Sequence, residues 1–180
     1  MADYNGPRDA AGIVSYMRKQ VGPSSAVLDD AAAVADFISE TDPTAVYFYS
    51  SKGSSFPNWQ AVAAQMREAP VKFGETTSEA ARAEFGVEGD KNTVVLFRPT
   101  RHVSKLDEPT ATLAGKFSQE ELKDWVKGNA LPLVAEMTAD NKELFTHGGK
   151  AVVTAFLDLD YRRDPKGISF FFVLFRCFVF

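Results

Sequence analysis

Between Ser24 and Asn129, short β-prone runs alternate with stretches of helical spacing, and that alternation confines this chain to an α/β architecture. Ala26-Val27-Leu28 is a short extended run. Asp30 to Ser39 places Val34, Phe37 and Ile38 on one helical face, and Asp42-Pro43 makes a turn. Ala45-Val46-Tyr47-Phe48-Tyr49 has no polar interruption, the pattern of a strand buried on both faces. A polar loop, Ser50 to Ser55, leads into a helix that opens near Pro57, where a missing N–H costs nothing. That helix runs to about Glu68 with Val62 and Met66 inward. Val71 to Thr76 is the next strand, and Thr77 caps a helix over Ser78 to Phe85 that Gly86 closes. Thr93-Val94-Val95-Leu96-Phe97 is again continuous and apolar. His102 to Leu106 and Ala111 to Leu113 are weaker runs that supply an edge. Ser118-Gln119-Glu120-Glu121 is a capping box, and the helix it opens carries Leu122, Trp125 and Val126.

The order β-α-β-α-β-α-β-β-α predicts a mainly parallel central sheet with helices on both faces and an antiparallel pair at its edge. On pattern alone, a thioredoxin-like layout and flavodoxin-like alternatives both fit. Before this unit, residues 9–21 have helical spacing, with Asp9 as cap and Ile13, Val14, Met17 and Val21 on one face. Gly22-Pro23 stops that helix, which reads as the end of a unit with nothing before it to pack on. After Leu131-Pro132 the pattern restarts. Val134 and Met137 are extended, Thr138 caps a helix over Asp140 to Thr146, and Ala151 to Leu157 is a buried-looking strand. This second unit breaks off near Gly167.

Composition narrows the chemistry. Cys177 is the only cysteine, so no intramolecular disulfide, dithiol exchange or Cys-based zinc site is possible within one chain. His102 and His147 are the only histidines and lie far apart, a poor metal site. No phosphate-binding glycine loop is present, and no cofactor is expected. A net charge of −4 with both signs interspersed argues against a nucleic-acid surface. Met1-Ala2-Asp3-Tyr4 does not open a signal peptide, and the C-terminus is no retention tetrapeptide. Ile168–Phe180 is intensely apolar but about 13 residues long, short of the ~20 needed to span a bilayer. Its length and its phenylalanines (170, 171, 172, 175, 178 and 180) fit an aggregation hazard better than an interfacial helix.

Several motifs agree in order and spacing with one known family. Tyr4-Asn5-Gly6-Pro7-Arg8, Gly12-Ile13-Val14-Ser15-Tyr16 and Lys19-Gln20-Val21-Gly22-Pro23 resemble the end of a first catalytic (a) domain of protein disulfide isomerases. Val95-Leu96-Phe97-Arg98-Pro99 resembles a b-domain strand of that family. Met137-Thr138, Asp140-Asn141-Lys142 and Asp158-Leu159-Asp160-Tyr161 with Pro165-Lys166-Gly167 resemble the start of a b′ domain. The likeness is strongest to the member that works with calnexin and calreticulin, and it runs through Gly167.

The resemblance implies a thioredoxin-like fold with a mixed central sheet flanked by helices, followed by an incomplete second thioredoxin-like unit. It also implies four segments. Residues 1–23 are the C-terminal helix of a catalytic domain, and 24–132 are a non-catalytic b domain. Residues 133–167 are a truncated start of b′, and 168–180 are an unrelated apolar tail. Active domains of the family follow an aromatic strand with Cys-x-x-Cys. Here Tyr47-Phe48-Tyr49 is followed by Ser50-Ser51-Lys52-Gly53-Ser54. Active domains also place a cis-proline where Asn92-Thr93 stands. Ser can neither attack a disulfide nor resolve one, so no catalytic residue is expected.

The function implied is scaffold and recruitment in oxidative folding in the lumen of the endoplasmic reticulum. The alternatives are an isomerase, as the full-length family is, or a standalone peptide-binding chaperone. The partners implied are calnexin/calreticulin-type lectin chaperones and folding glycoproteins. A lysine in the matching Lys-Gly pair contributes to a basic site for their acidic arm, which points to Lys166, with Arg162 and Arg163 adding positive charge. That site is expected to be incomplete, because its further basic residues belong past Gly167. Against these stand plainer readings. Trp59, Trp125 and the strand aromatics sit at core spacing, Asp30 fits helix capping, and Asp158 with Asp160 lacks a third carboxylate for a metal. Cys177 reads as an accidental thiol in an apolar tail.

Overall fold

The computed structural model describes residues 22–40, 42–87, 91–99 and 108–132. It also describes the single positions 10, 13, 14, 17, 142 and 145 and the backbone of two short strands, 152–154 and 174–176. The main unit runs β1 (Ala26–Val27), α1 (Ala31–Phe37), β2 (Thr44–Phe48), α2 (Ser55–Gln65), β3 (Lys72–Thr76), α3 (Glu79–Glu84), β4 (Thr93–Phe97), β5 (Thr110–Ala114) and α4 (Gln119–Asn129). These strands form one sheet in the order β1-β3-β2-β4-β5.

β1 and β2 both pair parallel with β3, whereas β4 pairs antiparallel with β2 as well as with β5. The sheet is therefore half antiparallel, not mainly parallel. Strand–helix alternation predicts that a strand returns to the sheet but leaves open its direction, and α3 returns the chain on the far side of β2, running the other way.

β2 and β4 are buried along their whole lengths. Alternate residues face opposite layers. Ala45, Tyr47, Val94 and Leu96 pack with Trp59 and Val62 of α2 and Leu122 and Val126 of α4. Val46, Phe48, Val95 and Phe97 pack with Val34 of α1 and Ala81 of α3. Two-sided burial explains why both strands read as unbroken apolar runs. In the first layer Tyr47 stacks on Trp59 with ring centroids 5.4 Å apart, and Phe117 meets Tyr47 edge-on at 5.8 Å.

The helix starts follow hydroxyl and carboxylate caps. Asp30 accepts from the Ala33 N–H at 2.7 Å. Ser78, not Thr77, caps α3, accepting from the Ala81 N–H at 3.3 Å. Thr76 Oγ1 accepts the Ser78 N–H at 3.1 Å, so the strand end reaches the cap directly. Ser118 and Glu121 form the reciprocal capping box of α4. Ser118→Ala is expected to lower stability by about 1 kcal/mol, read as a shift in urea midpoint at unchanged slope. Gly86 closes α3 at φ +67°, where a left-handed residue is needed.

The core does not stop at Leu131. Phe145 is only 3% exposed and belongs to the α2/α4 layer. Ala10, Ile13, Val14 and Met17 lie in helix, and Ile13, Val14 and Met17 are all exposed. The apolar face read in the sequence thus has no cover among the described residues. Farther on, Val152–Thr154 (β6) pairs antiparallel with Leu174–Arg176 (β7) in a separate two-stranded sheet. A strand in the apolar tail was not expected from the sequence, although its β-branched and aromatic residues favour one. His102 to Leu106 lies outside the described residues, as do Val134, Met137, His147, Asp158, Asp160 and Cys177.

Candidate functional site

In the sequence, the place to inspect is the loop after β2 together with the residues before β4. The fold brings them together. Asn92 donates its side-chain amide to the Ser51 carbonyl at 3.4 Å, across 41 residues of chain. The loop tightens on itself, with the Gly53 N–H donating to the Ser51 carbonyl at 2.8 Å and Phe56 N–H to the Gly53 carbonyl at 3.1 Å. α2 then begins at Ser55 without a side-chain cap from Ser54. Ser50, Ser51, Lys52, Gly53 and Ser54 are exposed, and the Lys52 ammonium lies 4.7 Å from the centre of the Phe56 ring. No described peptide bond is cis, including that before Thr93. The slot thus offers hydroxyls, an amine and an amide, and no thiol. It can donate and accept hydrogen bonds but cannot exchange a disulfide.

Beneath the loop, Tyr47 and Tyr49 stack at 5.2 Å. Burial holds the Tyr47 hydroxyl proton above its ordinary pKa of 10.0, the nearby Asn92 amide pulls the other way, and Tyr49 adds a small push. Among the described residues the buried Tyr47 hydroxyl meets no partner of good hydrogen-bond geometry. Tyr49 is also raised, by burial first and then by the charge of Glu75. A phenol whose folded pKa lies above its unfolded value stabilises fully below the unfolded value, and that stability is lost as pH rises through the folded one. Stability should therefore fall above pH 10.0, and Tyr47→Phe should flatten the fall in alkaline urea titrations.

The remaining sequence candidates divide. Trp59 is wholly buried and Trp125 packs partly buried against the same core, so these aromatics form the interior and not a groove. Asp30 is a cap. Lys166, Arg162 and Arg163 lie outside the described residues. No group of three or more His, Cys, Asp or Glu among the described residues could hold a metal, and no described helix is long and apolar enough to cross a membrane. An open pocket of about 680 Å³, lined by Pro23, Ser24, Phe37, Arg67, Lys72 and Phe73 among others, lies at the start of β3, away from the slot. Sequence reasoning missed a buried polar network around Glu75. Its one signal was an acidic residue inside the otherwise strand-like Lys72–Thr76.

A mixed five-stranded sheet between two helical layers, with the loop after β2 facing the turn before β4, is the thioredoxin-like architecture. The chain belongs to the thioredoxin-like domain family, whose sequence model matches residues 48–168. Its curated relatives are protein disulfide-isomerases. It is 32% identical to protein disulfide-isomerase A3 of Gallus gallus over 93% of this chain and 32% of that protein. It is 29% identical to the probable protein disulfide-isomerase A4 of Caenorhabditis elegans over 88% of this chain and 26% of that protein. The chain thus spans about a third or less of these relatives' length. In fold it is similar to the crystal structure of the bb fragment of ERp72, with a TM-score of 0.62 at 22% identity over 81% of this chain and 65% of that one.

Proposed function

We propose that this chain is a non-catalytic piece of a disulfide-isomerase-type folding protein, serving as scaffold and recruitment surface. The observation that carries this reading is the slot after β2. The fold that in its relatives' family houses thiol chemistry is kept here, while Ser50–Ser54 and Asn92 stand where a cysteine pair and cis-proline would. The kinship with protein disulfide-isomerases supports a role in protein folding, and with it a place in the lumen of the endoplasmic reticulum. Residues 24–132 form the b domain in this reading, preceded by the end of an a domain and followed by the start of b′.

The partners are acidic arms of calnexin/calreticulin-type lectin chaperones, met by Lys166 with Arg162 and Arg163. Isothermal titration of the full chain with such an acidic arm tests the recruitment half. Weak binding, lost in Lys166→Ala and weakened by salt, is the expected result. Binding indifferent to Lys166, Arg162 and Arg163 would remove these residues from the role, and no binding would leave scaffold alone.

A further inference from the structure

The chain enters the b-type domain through Gly22-Pro23, and three residues there are tied to the body by side chains distant in sequence. Arg67, just past the end of α2, donates from Nη2 to the Gly22 carbonyl at 2.7 Å. Ser24 Oγ donates to Gln60 Oε1. Ser25 Oγ donates to Glu75 Oε2 at 2.6 Å. Gln60 of α2 completes the set, its amide donating to Glu75 Oε2 at 2.6 Å and to Ser25 Oγ at 2.9 Å. Ser25 is 3% exposed and Glu75 5%. Immediately afterwards the Leu28 N–H donates to the Glu75 carbonyl at 2.8 Å, so Glu75 holds both the side chain that precedes β1 and the backbone that follows it.

A strand of two residues has too few ladder bonds to fix itself, and Val27 is 69% exposed, so burial adds little at that position. What holds this edge is polar. Both donors to Oε2 meet a carboxylate in a water-poor setting, where charge-assisted bonds are short and strong and each partner supports the next. A buried carboxylate is costly unless its oxygens are satisfied, and simple edge anchoring would not need one. The geometry points to Arg67, Gln60 and Glu75 as a linker clamp. These positioning residues fix the direction in which the segment before Gly22 leaves the domain. The clamp stands whether or not the scaffold reading holds, and it would give such a scaffold a set angle to whatever precedes it.

The test uses the full chain with Cys177→Ser and spin labels at Met17→Cys and Glu84→Cys, both exposed positions. Pulsed dipolar spectroscopy gives the distance distribution between the labels. A narrow distribution is expected, broadening about twofold or more in Arg67→Met with Gln60→Leu, as a tethered segment becomes a flexible one. Gln65→Ala, on the same helix but bonded to Gln119 and Lys123 of α4 and not to the linker, should leave the width unchanged. Should the double variant fail to fold, Arg67→Met alone is measured together with hydrogen exchange at Val27 and Leu28, where faster exchange in a folded protein is expected. A parent distribution already as broad as the variant's, or a width and exchange indifferent to these substitutions, overturns the clamp.

Discussion

Trp59→Ala is expected to lower the stability of the domain by about 3–5 kcal/mol, the range for deleting a fully buried large aromatic. Trp59 has no exposed surface, stacks on Tyr47 and meets Phe73 with ring centroids 5.3 Å apart. Its removal opens a cavity between α2 and the sheet at the centre of the larger core layer. For a domain whose whole stability is about 5–15 kcal/mol, that is a large share. Trp59→Phe should behave differently. The indole N–H is buried with no hydrogen-bond partner among the described residues, so the native residue carries an uncompensated desolvation penalty. Phenylalanine keeps most of the ring and discards that penalty, and the expected loss is under about 1.5 kcal/mol. Urea midpoints at constant slope measure both. A Phe variant as destabilised as the Ala variant would show that the N–H is satisfied in solution.

The second large effect lies outside the unit bounded in sequence. Phe145→Ala should cost about 3–5 kcal/mol of the stability of the α2/α4 layer, although Phe145 follows Pro132 in the chain. Phe145 is as buried as Met66 and Phe117, which share its cluster. If it is one body with that core, the substitution lowers the midpoint reported from Trp59 and Trp125 together. A midpoint shift confined to probes beyond residue 133, with the tryptophan transition unmoved, would make Phe145 part of a separate unit. Ending the chain at Pro132 should have the same sign of effect as Phe145→Ala.

Much of the fold was legible because single elements carry their own evidence. β2 and β4 read as two-sided strands because every apolar residue in them faces one of two cores. The Ser118–Glu121 box is local, so its four residues contain the whole interaction. The antiparallel direction of β4 was not legible, since it depends on which side of β2 the chain returns to. Thr77 and Ser78 are adjacent hydroxyls, and only the bond from the Ala81 N–H to Ser78 Oγ shows which one faces the helix. The missing thiols were visible from residue identity alone. The Asn92–Ser51 contact, Phe145 in the core and the Glu75 network were not, because each joins residues far apart in sequence. Ser25 and Gln60 look like ordinary surface polars until β3 places a carboxylate between them.

A thioredoxin-like fold kept without a thiol in its slot should not catalyse disulfide exchange. Dithiol-driven reduction of an insulin disulfide by the full chain, alongside its Cys177→Ser variant, tests this most directly. Both proteins are expected to run at the uncatalysed rate and to be indistinguishable. Turnover by the parent chain that disappears with Cys177→Ser would contradict this, because one cysteine would then be performing the exchange that the Ser50–Ser54 slot has no thiol to perform.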